Sequence, residues 1–209
     1  MNETKKKIFC LAVLAIGSMV LVSVQAGSLE PPPGPVSPTH PPDTCFDTTG
    51  NRFVDCGDGT IKDTETGLYW LKNAACFQAN WADANSAAAD LAHGQCGLTD
   101  GSLPGDWRLP TLGCPSGSLS CFFSSVPPTG EFASIVAASC PAPFILDSAG
   151  TGCWSEGDPF SGVQSDFYWS ASSRSDGPVY AWGAFLDAGG AGTALKPESH
   201  FLWPVRDAP

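Results

Sequence analysis

Three carboxylates, Asp55, Asp58 and Asp63, fall within nine residues, with Gly57 and Gly59 between them. Oxygen ligands crowded onto a glycine loop can hold Ca²⁺. The spacing is not that of an EF-hand, and Asp and Gly are also what tight turns use, so both a turn and a Ca²⁺ site stay open here; no other cofactor is expected. Trp70, Trp107, Trp169, Trp182 and Trp203 have faces on which sugars could stack, but side chains this large are as a rule core. Trp154, in a loop beside Cys153, is the freer candidate for a ligand. Asp166, Arg174, Asp176, Tyr180, Glu198 and His200 cluster around the C-terminal strands and loops, where the polar groups of a binding surface would sit; each also suits a solvated surface. Arg108 and Arg206 are expected to pair with buried carboxylates or carbonyls. Enzyme signatures are missing: there is no G-x-S-x-G, no H-E-x-x-H and no P-loop.

The cysteines carry a different chemistry. Of nine, Cys10 lies in an apolar run, residues 8–24, that follows Lys5, Lys6 and Lys7 and ends at Val24, Gln25 and Ala26. Positive start, apolar stretch and small-x-small end read as a cleavable signal peptide over 1–26. The remaining eight are Cys45, Cys56, Cys76, Cys96, Cys114, Cys121, Cys140 and Cys153. An even number behind an export signal implies disulfides in an oxidising, extracytoplasmic compartment. Zinc is disfavoured because no C-x-x-C occurs. Nearest-neighbour pairing is expected, each bond stapling a local loop. The chain has 21 acidic and 10 basic residues, a net charge of −11, and loss of the signal would remove three of those lysines. No Lys/Arg run offers a basic patch, so nucleic acid and anionic lipid are excluded as partners. No stretch of the mature chain is long and apolar enough to span a membrane.

The elements that must position these groups come in a recognisable order. Pro31, Pro32, Pro33, Pro35, Pro38, Pro41 and Pro42 forbid helix or sheet in 27–44 and predict an extended linker. A folded domain follows over 45–209. Short strands at 52–55, 60–63 and 68–71, separated by Gly-containing turns, predict a meander. Asn80 can cap a helix over 81–92, whose apolar residues recur at helical spacing, with Gly94 as its stop. A second helix is predicted over 130–138, with Phe132, Ile135 and Val136 inward. Strands are predicted at 167–171, 179–186 and 193–196, and a last one at 201–206 with Phe201, Trp203 and Val205 on one face. Strands at both ends with helices between them make an α+β fold.

Several phrases in this order resemble the Lcl C-terminal-domain family: residues 52–63 (RFVDCGDGTIKD), 66–72 (TGLYWLK), 81–84 (WADA), 94–101 (GQCGLTDG), 105–111 (GDWRLPT), 168–172 (YWSAS) and 204–206 (PVR). The resemblance covers roughly 51–206. It implies a C-type-lectin-like domain, in which N- and C-terminal strands pair, small antiparallel sheets carry two helices, and long disulfide-stapled loops display the binding surface. It also implies a surface adhesion role with a glycan or a surface protein as partner. Two departures bear on the ligand. The chain inserts a loop at 114–128 where the family continues into a helix, and its acidity opposes the sulfated polysaccharides bound by the family's adhesin member. The calcium-dependent sugar motifs of true C-type lectins, Glu-Pro-Asn or Gln-Pro-Asp with Trp-Asn-Asp, are absent.

Overall fold

The structure, a computed structural model, describes residues 45–115 and 118–209; the expected signal peptide (1–26) and proline-rich linker (27–44) lie outside them. Ten strands, one helix and one 3-10 turn run in the order β1 (Phe53–Asp55), β2 (Thr60–Asp63), β3 (Tyr69–Leu71), β4 (Phe77–Ala79), α1 (Trp81–Ala89), β5 (Cys121–Phe122), the 3-10 turn (Phe132–Ile135), β6 (Phe167–Ser173), β7 (Tyr180–Phe185), β8 (Gly190–Leu195), β9 (His200–Leu202) and β10 (Val205–Arg206). The fold is α+β, rich in sheet, with disulfide-stapled loops.

Two sheets share the work. The meander β1-β2-β3 is closed by β10, all antiparallel. The second sheet has the order β4-β9-β6-β7-β8-β5 and is mixed, not purely antiparallel as expected, because β9 runs parallel to β6. The predicted strand at 201–206 is therefore two strands in two sheets. Pro204, which has no N–H to give a ladder, sits at the crossing, and its carbonyl accepts from Leu71 N at 3.0 Å.

Asn80 caps α1 as expected: its Oδ1 accepts from Asp83 N at 3.0 Å. The helix buries Ala84 and Ala88 and ends at Ala89, short of 92, where Gly105 N donates to the Ala89 carbonyl. Leu91, freed from the helical path, enters the main core. The predicted second helix is corrected to the single 3-10 turn. Gly130 enters it at φ +108°, and Val136 is drawn into an extended bridge with Ile145, so the segment has no room for further helical turns. Strands β4 and β5 were not legible at the sequence level; each is two or three residues long and exists only through its partner, β9 or β8.

The main core joins both sheets around Trp70, Trp107, Tyr168 and Trp203, with Phe132 and Phe160 filling between them. Trp203 meets Phe160 edge-on at 4.8 Å and Trp70 at 5.9 Å. A smaller core lies beneath α1, around Leu109, Phe167, Trp169 and Leu202. Gly183 is required there, since a Cβ would strike the Phe167 ring. The disulfides join Cys45–Cys56, Cys76–Cys96, Cys114–Cys121 and Cys140–Cys153, nearest neighbours throughout. Among the described residues, no helix is long and apolar enough to cross a membrane.

Candidate functional site

Strand alternation decides where Trp182 goes. Along β7 it shares a face with Ala184, while Ala181, Gly183 and Phe185 point the other way. Ala181 belongs to the small core under α1 and Ala184 to the main core. Trp182 thus lies on the main-core face, yet it joins neither cluster and stays half-buried, whereas Trp70, Trp107, Trp169 and Trp203 are at most 1% exposed. Its ring lines a groove of about 400 Å³.

One side of the groove comes from the connection between β6 and β7. There Arg174 grips Asp176 with two hydrogen bonds, Nε to Oδ1 at 2.6 Å and Nη2 to Oδ2 at 3.0 Å. Arg174 N donates to the Tyr180 carbonyl, and its guanidinium lies 5.7 Å from the Tyr180 ring centre, a cation–π contact that fixes its direction. The hydrogen bonds hold the Asp176 carboxyl below the usual Asp range and lift the Arg174 pKa. The pair is therefore fully ionised at neutral pH and neutral in sum. The other side is the Cys114–Cys121 loop, which contributes Pro115, Ser118 and the exposed Leu119. This loop is held by its disulfide and by the pairing of Cys121 with Ala191 of β8. The structure thus unites Arg174, Asp176 and Tyr180 with Trp182. Missed at the sequence level were Trp182, expected in the core, and the loop residues opposite; the one available signal was the period-two spacing of Tyr180 and Trp182.

The remaining expected residues fall elsewhere. His200 is on the opposite face of the same sheet, its ring 4.6 Å from Phe167 and 5.0 Å from Trp169, with Nε2 3.4 Å from Glu198. Nearby, Lys196 lies 4.1 Å above the Trp81 ring. Asp166 is exposed and accepts from Phe167 N at 2.6 Å, closing the start of β6. Trp154 is not free: it packs against the main core and its Nε1 donates to the Phe160 carbonyl at 2.9 Å.

The three acidic residues do not converge on a cation. Asp55 holds Lys72 at 2.5 Å. Asp58 accepts from Thr60 N and Oγ1, the turn use of Asp. Asp63 is fully buried and accepts from Arg52 Nε and Nη2, Glu65 N and Thr66 Oγ1. Its lone pairs are spent inside the protein. Among the described residues no group of three or more His, Cys, Asp or Glu side chains is placed to hold a metal ion, so these carboxylates do not fit Ca²⁺. Arg206 pairs with a buried carboxylate as expected, whereas the carboxylates that Arg108 meets, Glu131 and Asp207, are partly or largely exposed. Arg206 lies 3.4 Å from buried Asp100, with the Tyr69 and Trp107 rings at 4.6 and 5.4 Å. Arg108 makes a two-bond fork to Glu131 at 2.7 Å each. Comparison with protein-family models, with curated proteins and with solved structures gave no match.

Proposed function

We propose that the chain is an exported binding module for a glycan or a protein, with the Trp182 groove as its ligand site and without enzymatic activity. The observation that carries this reading is Trp182 itself. It is a large aromatic on the core-facing side of a sheet that packs into neither core, opening instead onto a groove with a rigid polar side. A concave site that combines apolar area with a few fixed polar groups is the usual form of a small-ligand pocket. A lectin-like domain of the Lcl C-terminal type accords with β10 returning to pair with β3 and with the long loops between α1 and β6. Four disulfides accord with an extracytoplasmic location.

Retention of the oxidised chain on a glycan array tests the proposal. Trp182→Ala should weaken retention at least about tenfold, the loss expected for an aromatic anchor, with the thermal midpoint little changed. EDTA should have no effect, because the acidic loop is committed to internal contacts. A second reading, a non-enzymatic component of a surface assembly, is favoured by the exposed apolar side chains of Phe122 and Val126. A blank array with one fixed protein partner co-purifying would select it.

A further inference from the structure

We infer that the Trp182 groove takes an uncharged sugar, with the Arg174–Asp176 pair as a fixed clamp for its hydroxyls. This rests on the reading of the groove as the ligand site and adds the class of ligand.

The charge state of the groove carries the argument. Among the described residues, Arg174 is the one cation lining it, and Asp176 the one anion. They are already joined through two hydrogen bonds. A sulfate or carboxylate on the ligand would have to displace Asp176 or lie beside it, in a chain whose net charge is −11; like charges so placed repel. A cationic ligand meets the converse problem, since the Asp176 charge is compensated by Arg174. An uncharged polyol disturbs neither partner. Carboxylate oxygens engaged by the guanidinium retain lone pairs for a hydroxyl donor. Arg174 Nη1, with no hydrogen-bond partner among the described residues, can donate to a hydroxyl oxygen. The pair thus offers carboxylate acceptors at one edge and a guanidinium N–H donor at the other, a combination that the hydroxyls of one polyol can use.

Trp182 and Leu119 supply the apolar complement. A sugar ring has C–H faces as well as hydroxyl edges, so it can lie on an indole while its edge meets the clamp. Ser118 adds a further hydroxyl to the lining. The Tyr180 ring and the backbone bond from Arg174 N to Tyr180 O hold the clamp in place before a ligand arrives, which lowers the ordering cost of binding.

The experiment uses the full chain with its disulfides formed. Retention is measured on neutral oligosaccharides and on sulfated and carboxylated forms of the same backbones, at about 50 and about 500 mM NaCl, a range over which exposed charge–charge attraction is largely screened. The expected result is binding to neutral forms, with Kd changing less than about twofold across the salt range. Asp176→Asn and Arg174→Lys should each weaken it several-fold and Trp182→Ala more than either. Thermal midpoints report whether the variants fold, and the wild-type salt series needs no variant. Tighter, salt-sensitive binding of the anionic forms that depends on Trp182 would overturn the uncharged-ligand inference and leave the binding-module reading standing. Glycan binding indifferent to Trp182→Ala would overturn the groove as the site. No retention of any glycan would overturn this inference and remove the glycan arm of the proposed function with it.

Discussion

Asp63 has no exposed surface and accepts four hydrogen bonds, two of them from Arg52, which is itself only 12% exposed. Arg52 Nη2 also donates to the Ser134 carbonyl, so one ion pair ties the β1-β2 hairpin to the 3-10 turn far along the chain. Removing one member of a buried pair leaves the other charge without compensation, at a cost of about 3–5 kcal/mol. Arg52 Nη1 also meets the exposed Glu65 at 3.0 Å, so Asp63→Asn, which keeps the shape but not the charge, is expected to lose about 3 kcal/mol in urea denaturation, the low end of that range; a loss below about 1 kcal/mol would mean that Glu65 and solvent compensate Arg52 on their own. This also explains why a cluster of three acidic residues was ambiguous in the sequence. Residue types and spacing are the same for a cation loop and for a turn; only the position of Arg52, Lys72 and Thr60 around the carboxylates separates them.

At the scale of elements, one fork holds three segments together. Glu131, just before the 3-10 turn, accepts from Arg108 and from Thr111 N at 2.9 Å, and Arg108 also reaches Asp207 beyond β10 at 3.0 Å. Burial disfavours the Glu131 charge, but the hydrogen bonds from Arg108 and Thr111 outweigh it, and its pKa is lowered from the ordinary 4.5. A carboxyl lowered by folding stabilises the fold above its unfolded pKa, and that contribution disappears as pH falls through the lowered value. Wild type should therefore lose stability on acidification below about pH 4.5, and Glu131→Gln should abolish part of that dependence. The difference is small, about 1 kcal/mol or less, because both groups are partly exposed and screened by solvent. Equal acid sensitivity of wild type and variant in thermal melts would assign the effect to other carboxylates. Short elements are where the sequence was least legible. β4 and β5 carry no periodic pattern of their own, and the segment at 130–138 has helical spacing that tertiary contacts at Val136 override.

Across the whole molecule, the disulfides do what a small core cannot do for long loops. Cys114–Cys121 is the one that bears on the groove, because it holds the loop carrying Pro115 and Leu119 against β8. Replacing both cysteines by serine should weaken ligand binding more than it lowers stability. The bond closes a short loop at the margin of the main core, where Cys121 is buried and Cys114 packs against it, and its removal costs about 2–4 kcal/mol. A lowered melting midpoint with a still cooperative transition, and lost binding at temperatures where the variant is folded, is the expected result; unchanged binding would show that the loop is not part of the site. The opposite face of the same sheet, where His200 and Lys196 meet aromatic rings, should be insensitive to the same change.

The sequence by itself determined the α+β class, the capped helix after Asn80, the meander at 53–71 and the stapling of loops by neighbouring cysteines. Each follows from local chemistry: a side-chain cap, glycine turns, alternating apolar residues and short chain distance between thiols. Tertiary structure alone decided which tryptophan is open. Trp182 was expected in the core and does lie on the main-core face of its strand, but the extent of the core on that face is a property of packing between distant segments. It decided equally that Trp154 is held by the Phe160 carbonyl, and that Arg174 spends its charge on Asp176. Residues that look alike in a chain were separated there by what folding placed beside them.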